Sequence, residues 1–142
     1  KRGFIDTDHE IENNNNKDIS SIFEEYGEEL FRKKETEILI GLSDIKNHII
    51  STGGGIILCQ KNIDFMKKMG IIVFLDINLT VQLKRVKYRK HRPLLRNSNL
   101  EEKLKLLKSE RDTIYNNVSD YIIDVSNKDK ISIVKEIEDT LS

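Results

Sequence analysis

"IISTGGGIILCQ", residues 49–60, sets three consecutive glycines between two apolar, β-branched runs. The first run is short and does not alternate, as expected of a parallel-sheet strand buried on both faces. Glycines directly after it put bare backbone at a strand's carboxyl end, where parallel α/β sheets gather their ligands. Three glycines in a row cost chain entropy on folding, so close approach by a ligand accounts for them better than a flexible turn does. No Gly-Lys-Ser or Gly-Lys-Thr follows, and Ile56, Ile57 and Leu58 stand where phosphate ligands would be needed. The stretch is therefore not a nucleotide phosphate loop, and it offers backbone N–H groups to a small polar substrate instead.

Other apolar runs occur at "GFID" (3–6), "HIIST" (48–52), "IIVFLD" (71–76) and "DYIIDV" (120–125). Helical periodicity separates them, at 18–27, 28–42, 62–70, 80–89, 101–118 and from about Ile131 to Leu141. Strands alternating with helices predict an α/β fold, a parallel sheet with helices on both faces. Asp18 is placed to cap the first of these helices, Glu28 opens the next after Gly27, and Gly70 closes the third. "NNNN" at 13–16 reads as a solvated loop, and 87–103 as a long charged segment of the kind that forms lids.

With 142 residues and no repeat, the chain is expected to be one domain. Lys and Arg number 24, balanced by 24 Asp and Glu, so no global field draws it to nucleic acid or to an anionic membrane. A single cysteine, Cys59, excludes an internal disulfide framework and fits a reducing compartment. No apolar run approaches the length of a membrane span, and the chain reads as soluble.

Several charged residues break their local pattern. On the helix 101–118, Arg111 shares a face with Leu104, Leu107, Ile114 and Val118, and so meets either a buried carboxylate or a ligand. On 28–42, Glu35 shares a face with Phe31, Ile38 and Leu42, with Arg32 at its edge. An internal Arg32–Glu35 salt bridge would explain both, and so would a site with converging partners. "FIDTD" ends an apolar run in two carboxylates, Asp6 and Asp8, which suits either a helix cap or a ligand site at a strand end. "KHRPLLR", 90–96, sets Arg92 before the only proline, either as solvated charge or as a mobile arginine near phosphate.

In this order and at these distances, "FIDTD", "IFEEYGEELFRKKE", "STGGG", "RPLL" and "ERDTIY" resemble shikimate kinase, from about Gly3 to Leu141. The resemblance implies a three-layer fold like that of the P-loop nucleoside monophosphate kinases and transfer of the γ-phosphoryl group of ATP to the 3-hydroxyl of shikimate. It implies Asp8 as the residue that orients or deprotonates the attacking hydroxyl, and Asp6 as a magnesium residue acting partly through water. Arg32 and Arg111 would clamp the shikimate carboxylate, while Gly53, Gly54 and Gly55 would offer backbone to the substrate. Arg92 would act from a lid at about 87–103 and Arg85 would lie near adenine. Glu35, Phe23 and Phe31 would support the pocket. ATP, Mg2+ and shikimate are the implied partners, for a cytoplasmic or plastid monomer that binds neither nucleic acid nor membrane.

The family pattern opens with a strand, a GxxxxGK[ST] loop and a helix, and none of these precedes Gly3 here. Such a βα unit, about 30 residues, is expected upstream in a longer parent, and its first strand would lie inside the sheet. Without it the 142 residues are expected to bind shikimate weakly and not to turn over ATP. Two alternatives are a non-catalytic shikimate-binding relative and a kinase segment of a larger multifunctional polypeptide.

Overall fold

A computed structural model describes residues 2–88 and 99–142. Its elements alternate as expected: β1 (Gly3–Asp6), α1 (Thr7–Asn15), α2 (Ile19–Leu42), β2 (His48–Ser51), a 3-10 turn (Gly54–Leu58), α3 (Gln60–Met69), β3 (Val73–Asp76), α4 (Leu79–Lys87), α5 (Leu100–Val118), β4 (Tyr121–Asp124) and α6 (Lys130–Leu141). The chain forms two compact units, Lys1–Gly70 and Ile71–Ser142. In the first, β1 pairs in parallel with β2, with Phe4 opposite Ile49 and Asp6 opposite Ser51. In the second, β3 pairs in parallel with β4, with Asp76 opposite Asp124. Parallel pairing within a β/α alternation bears out the α/β class.

The strands are not buried on both faces. Phe4 is 67% exposed and Ile49 55%, and Leu75 and Ile122 are also open. Among the described residues each sheet has two strands, so neither has a central strand. Among the described residues every strand keeps one open edge, and solvent reaches apolar side chains on the strands.

The first unit's core packs Ile11, Ile22 and Phe31 together, flanked by Ile19, Phe23 and Ile38. Burial of each such side chain contributes about 1.5–3 kcal/mol before entropy is set against it. Ile11 belongs to a helix that periodicity missed. Asp6 starts it, its Oδ1 accepting from the N–H groups of Asp8 (3.0 Å) and His9 (3.2 Å). Asn13 to Asn15 lie in this helix rather than in a loop, and Asn16 closes it in the left-handed conformation at φ 50°. Asparagine tolerates that conformation better than other non-glycine residues, so the polar run is a helix end.

The expected boundary at Gly27 is present as a break within α2, at φ 79° and ψ 173°. Asp18 caps the first segment by accepting from Ser21 N–H at 2.7 Å. The Gly70 N–H donates to Met66 O at 3.2 Å, ending α3 before β3.

In the second unit, Leu104 and Val118 of α5 are buried, as are Ile123 and Val125. Phe74 of β3 stacks on Tyr115 of α5 with ring centroids 4.3 Å apart. Among the described residues no helix is long and apolar enough to cross a membrane.

Candidate active site

β1 and β2 run parallel with Asp6 beside Ser51, so the segments that leave their carboxyl ends emerge side by side. The Asp6 cap fixes the first turn of α1, which carries Asp8. A negative charge is favoured there by the helix dipole. The Asp8 carboxylate lies over Gly53: a Cβ on Gly53 would be 3.0 Å from Asp8 Oδ1 and 3.3 Å from Oδ2.

Arg32 approaches the same turn from α2. Its Nη1 donates to Glu35 Oε2 at 2.7 Å and its Nη2 to Glu28 Oε1 at 3.2 Å. Its Nε is buried and has no hydrogen-bond partner among the described residues. A Cβ on Gly55 would overlap the Arg32 guanidinium at Nη1, Nη2 and Cζ, so the arginine rests directly on glycine backbone. Neither Gly53 nor Gly55 has a positive φ. Space, not backbone conformation, is what these two positions require, and the groups that fill it are Asp8 and Arg32.

Burial works against the Arg32 charge, but hydrogen bonding and attraction from Glu35, and then from Glu28, hold its pKa above the ordinary value. Glu35 is 1% exposed, so the salt bridge expected from sequence is present and buried. The same arginine still faces the glycine turn. The two accounts of Arg32 hold together, because Glu35 occupies one edge of the guanidinium and leaves Nε–H to another acceptor. A planar cation held in this way suits bidentate binding of a carboxylate.

Phe31 is core, with the Arg32 guanidinium carbon 5.4 Å from its ring centroid. Phe23 packs on Phe31 at 4.5 Å between centroids. Asp6, Asp8, Phe23, Phe31, Arg32, Glu35 and Gly53 to Gly55 thus all fall in the first unit. A cavity of about 260 Å³ in that unit, lined by Ile11, Asn14, Asn15, Lys34, Glu37 and Ile38, includes none of them.

Arg85 and Arg111 belong to the second unit. Arg85 Nη2 donates to Val125 O at 3.1 Å, just beyond the carboxyl end of β4. Arg111 is half-buried on the α5 face that carries Leu104 and Val118, and its Nε is buried without a hydrogen-bond partner among the described residues. Arg92 and most of the expected lid lie outside the described residues.

Sequence reasoning did not single out Lys108, whose Nζ donates to Asp76 at 3.1 Å and to Ile77 O at 3.2 Å and lies 3.0 Å from Asp112. Burial opposes its charge, yet the hydrogen bonds to Asp112 and Asp76 raise its pKa above the ordinary lysine value. Its four-residue spacing from Asp112 was the available signal. The same spacing links Glu28 to Arg32, a pair that also went unnoticed.

Fold and site define an α/β protein in which a guanidinium and a carboxylate meet one glycine turn at the carboxyl end of a parallel strand. Comparison with known proteins makes this specific. The profile of the shikimate kinase family matches residues 1–142. A shikimate kinase from Caldanaerobacter subterraneus subsp. tengcongensis is 40% identical over 134 residues, covering 94% of this chain and 78% of the relative. A shikimate kinase from Acinetobacter baumannii (strain AYE) is 42% identical over 125 residues, covering 88% and 69%. The solved shikimate kinase from Acinetobacter baumannii in complex with shikimate superposes with a TM-score of 0.94 at 38% identity, over 99% of this chain and 78% of that one. The Aquifex aeolicus enzyme superposes at 0.82 with 41% identity, over 99% and 81%. The chain belongs to the shikimate kinase family, and is accordingly a kinase with the P-loop type of α/β fold.

Proposed function

We propose that the chain serves transfer of the γ-phosphoryl group of ATP to the 3-hydroxyl of shikimate, with its substrate site between α1, α2 and the Gly53–Gly55 turn. The observation that carries this is the placement of the Arg32 guanidinium against Gly55 and of the Asp8 carboxylate against Gly53. One turn thus presents a cation for a carboxylate and an anion for hydroxyls two residues apart.

In this scheme Arg32 Nε–H, together with Arg111, binds the shikimate carboxylate, and the backbone of Gly53, Gly54 and Gly55 lines the substrate. Asp8 accepts a hydrogen bond from the attacking hydroxyl and takes its proton. The hydroxyl oxygen then bonds to the γ-phosphorus as the bond to the β,γ-bridging oxygen breaks. Little covalent chemistry is asked of the protein, so positioning and charge supply most of the rate. Arg92, outside the described residues, has the role of neutralising charge on the transferring group, and Arg85 that of serving the adenine.

Asp6 uses Oδ1 for the helix cap, leaving its second oxygen for magnesium, directly or through water. One carboxylate suits an ion that keeps several waters and takes phosphate oxygens. When bound, magnesium would neutralise charge on the phosphates. Glu35 holds Arg32, Phe31 supports it from below, and Phe23 buttresses Phe31. One functional domain, a monomer and a cytoplasmic or plastid setting complete the proposal.

The test is Asp8→Asn in the full-length protein. The expected outcome is loss of turnover by at least about a hundredfold, the scale of a general base, with ATP binding unchanged. Near-normal turnover would remove Asp8 from the chemistry.

A further inference from the structure

The glycine turn is tied to α2 by a polar link outside the groups that touch substrate in the scheme above. Asn62, in the first turn of α3, is completely buried at 0% exposure. Its Nδ2 donates to Ile56 O at 3.0 Å, and its Oδ1 accepts from Thr36 Oγ1 at 2.7 Å. Thr36 lies one turn after Arg32 on α2, and its Oγ1 is also 3.2 Å from Arg32 O. A hydroxyl has a single proton, and the shorter contact, to Asn62, is the stronger claim on it. The other end of Ile56 is also fixed, since its N–H donates to Gly53 O at 3.3 Å and closes the turn.

We infer that Thr36 and Asn62 are positioning residues for the substrate carboxylate, setting the distance between the Gly55 backbone and the Arg32 guanidinium. This rests on the substrate site proposed above.

Gly55 has no room for even one added methyl beside that guanidinium. A shift of the turn by a few tenths of an ångström would therefore push the guanidinium away or open a gap beneath it. Apolar packing between α2 and the 3-10 turn resists separation but discriminates poorly between small sliding displacements. Directional hydrogen bonds do discriminate, and a fully buried amide satisfied at both ends is a stiff connection. The path is short: Arg32 to Thr36 along one helical turn, Thr36 to Asn62 to Ile56 O, and then one peptide back to Gly55. Arg32 is thus held at its head by Glu35 and Glu28, while the surface on which it rests is held in register with its own helix.

The experiment compares Thr36→Val, which removes the hydroxyl at constant shape, with Thr36→Ser, which keeps it. Both are made in the full-length protein. Shikimate affinity is read by calorimetry, alongside KM for shikimate, KM for ATP, kcat and Tm. Thr36→Val is expected to weaken shikimate binding and raise its KM roughly tenfold, on the scale of one buried hydrogen bond with a stranded partner. KM for ATP should stay within about twofold, since the hydrogen bonds of Thr36 and Asn62 reach neither Asp6 nor Arg85. Thr36→Ser should restore shikimate binding.

A Thr36→Val protein with wild-type shikimate affinity and KM but a lowered Tm would overturn the inference, leaving a purely structural hydrogen bond. Should that variant not fold, Thr36→Ala, which favours helix, decides in the same way. Failure of the unaltered protein to bind shikimate would overturn the site and this inference together, and is distinguishable because no variant is involved.

Discussion

The two units share a plan and use it differently. Each has one parallel strand pair, and each ties a long cationic side chain to carboxylates near a strand's carboxyl end: Arg32 to Glu28 and Glu35 in the first, Lys108 to Asp76 and Asp112 in the second. In the first unit one partner, Glu35, is fully enclosed, and the cation rests on a glycine that admits nothing else. In the second both partners of Lys108 are at least a third exposed, and the lysine also binds the Ile77 carbonyl after β3. An enclosed pair of this kind is costly to form and costly to break, whereas an exposed one contributes little to stability. The first arrangement holds a guanidinium still against the glycine turn; the second secures a chain turn. Arg111 is the exception within the second unit, an inward-facing arginine whose buried Nε has no partner among the described residues.

The sharpest way to break the comparison is Gly55→Ala against Gly53→Ala. The first places a methyl in the Arg32 guanidinium, while the second meets Asp8 Oδ1 at 3.0 Å, where a few tenths of an ångström of movement suffices. Gly55→Ala is expected to lower shikimate affinity roughly 10- to 100-fold, the scale of losing a charge-assisted hydrogen bond, and Gly53→Ala considerably less. Equal effects in a binding titration would show that the glycines are needed for backbone freedom and not for the arginine.

Next in size is Arg111→Ala, which should weaken shikimate binding about tenfold or more with a modest change in thermal stability. A lowered Tm with unaltered binding would return Arg111 to the structural role that Lys108 has.

The smallest effect is electrostatic and belongs to the second unit. Asp124 is lowered in pKa by hydrogen bonds from the Ser126 side chain and then from its backbone N–H, and Asp129 by the Ser132 N–H that it caps. Because the folded values lie below the unfolded ones, the unfolded chain binds more protons as pH falls. Their stabilisation is therefore present above the ordinary carboxylate range and is lost as pH drops through the lowered values. Both groups are exposed, so salt should shrink the effect. Asp129→Asn, which still caps a helix, should leave stability near neutral pH unchanged and flatten the acid limb of a melting-temperature profile. An unchanged acid limb would assign that limb to other groups.

Legibility from sequence followed the strength of local signals. The strand cores at Gly3–Asp6 and Tyr121–Asp124 and the breaks at Gly27 and Gly70 were readable, because apolar runs and glycines act on their own neighbourhood. The helix Thr7–Asn15 was not, since only Thr7 and Ile11 are buried on it and its polar asparagines mimic a loop. Exposure of the strand faces was also hidden, because it depends on how many strands pair and not on the composition of any one. At the site, Arg32 and Glu35 were legible as charges on apolar helix faces, and Asp8 as a carboxylate at the end of an apolar run. The answer to why three glycines stand together was only half legible: sequence points to close approach, and the structure names Asp8 and Arg32 as the groups that approach.

The sequence by itself determined the α/β alternation, the helix boundaries at Asp18, Gly27 and Gly70 and, through five ordered motifs, the resemblance to the shikimate kinase family. All of these are set by residues close together in the chain or by fixed spacing between motifs. Tertiary structure alone decided that Gly55 underlies Arg32, that Gly53 faces Asp8, and that Asn62 links Ile56 to Thr36 across 26 residues of chain. Such contacts depend on how α2, α3 and the glycine turn pack in space, and no local preference of the intervening residues encodes a distance of a few tenths of an ångström.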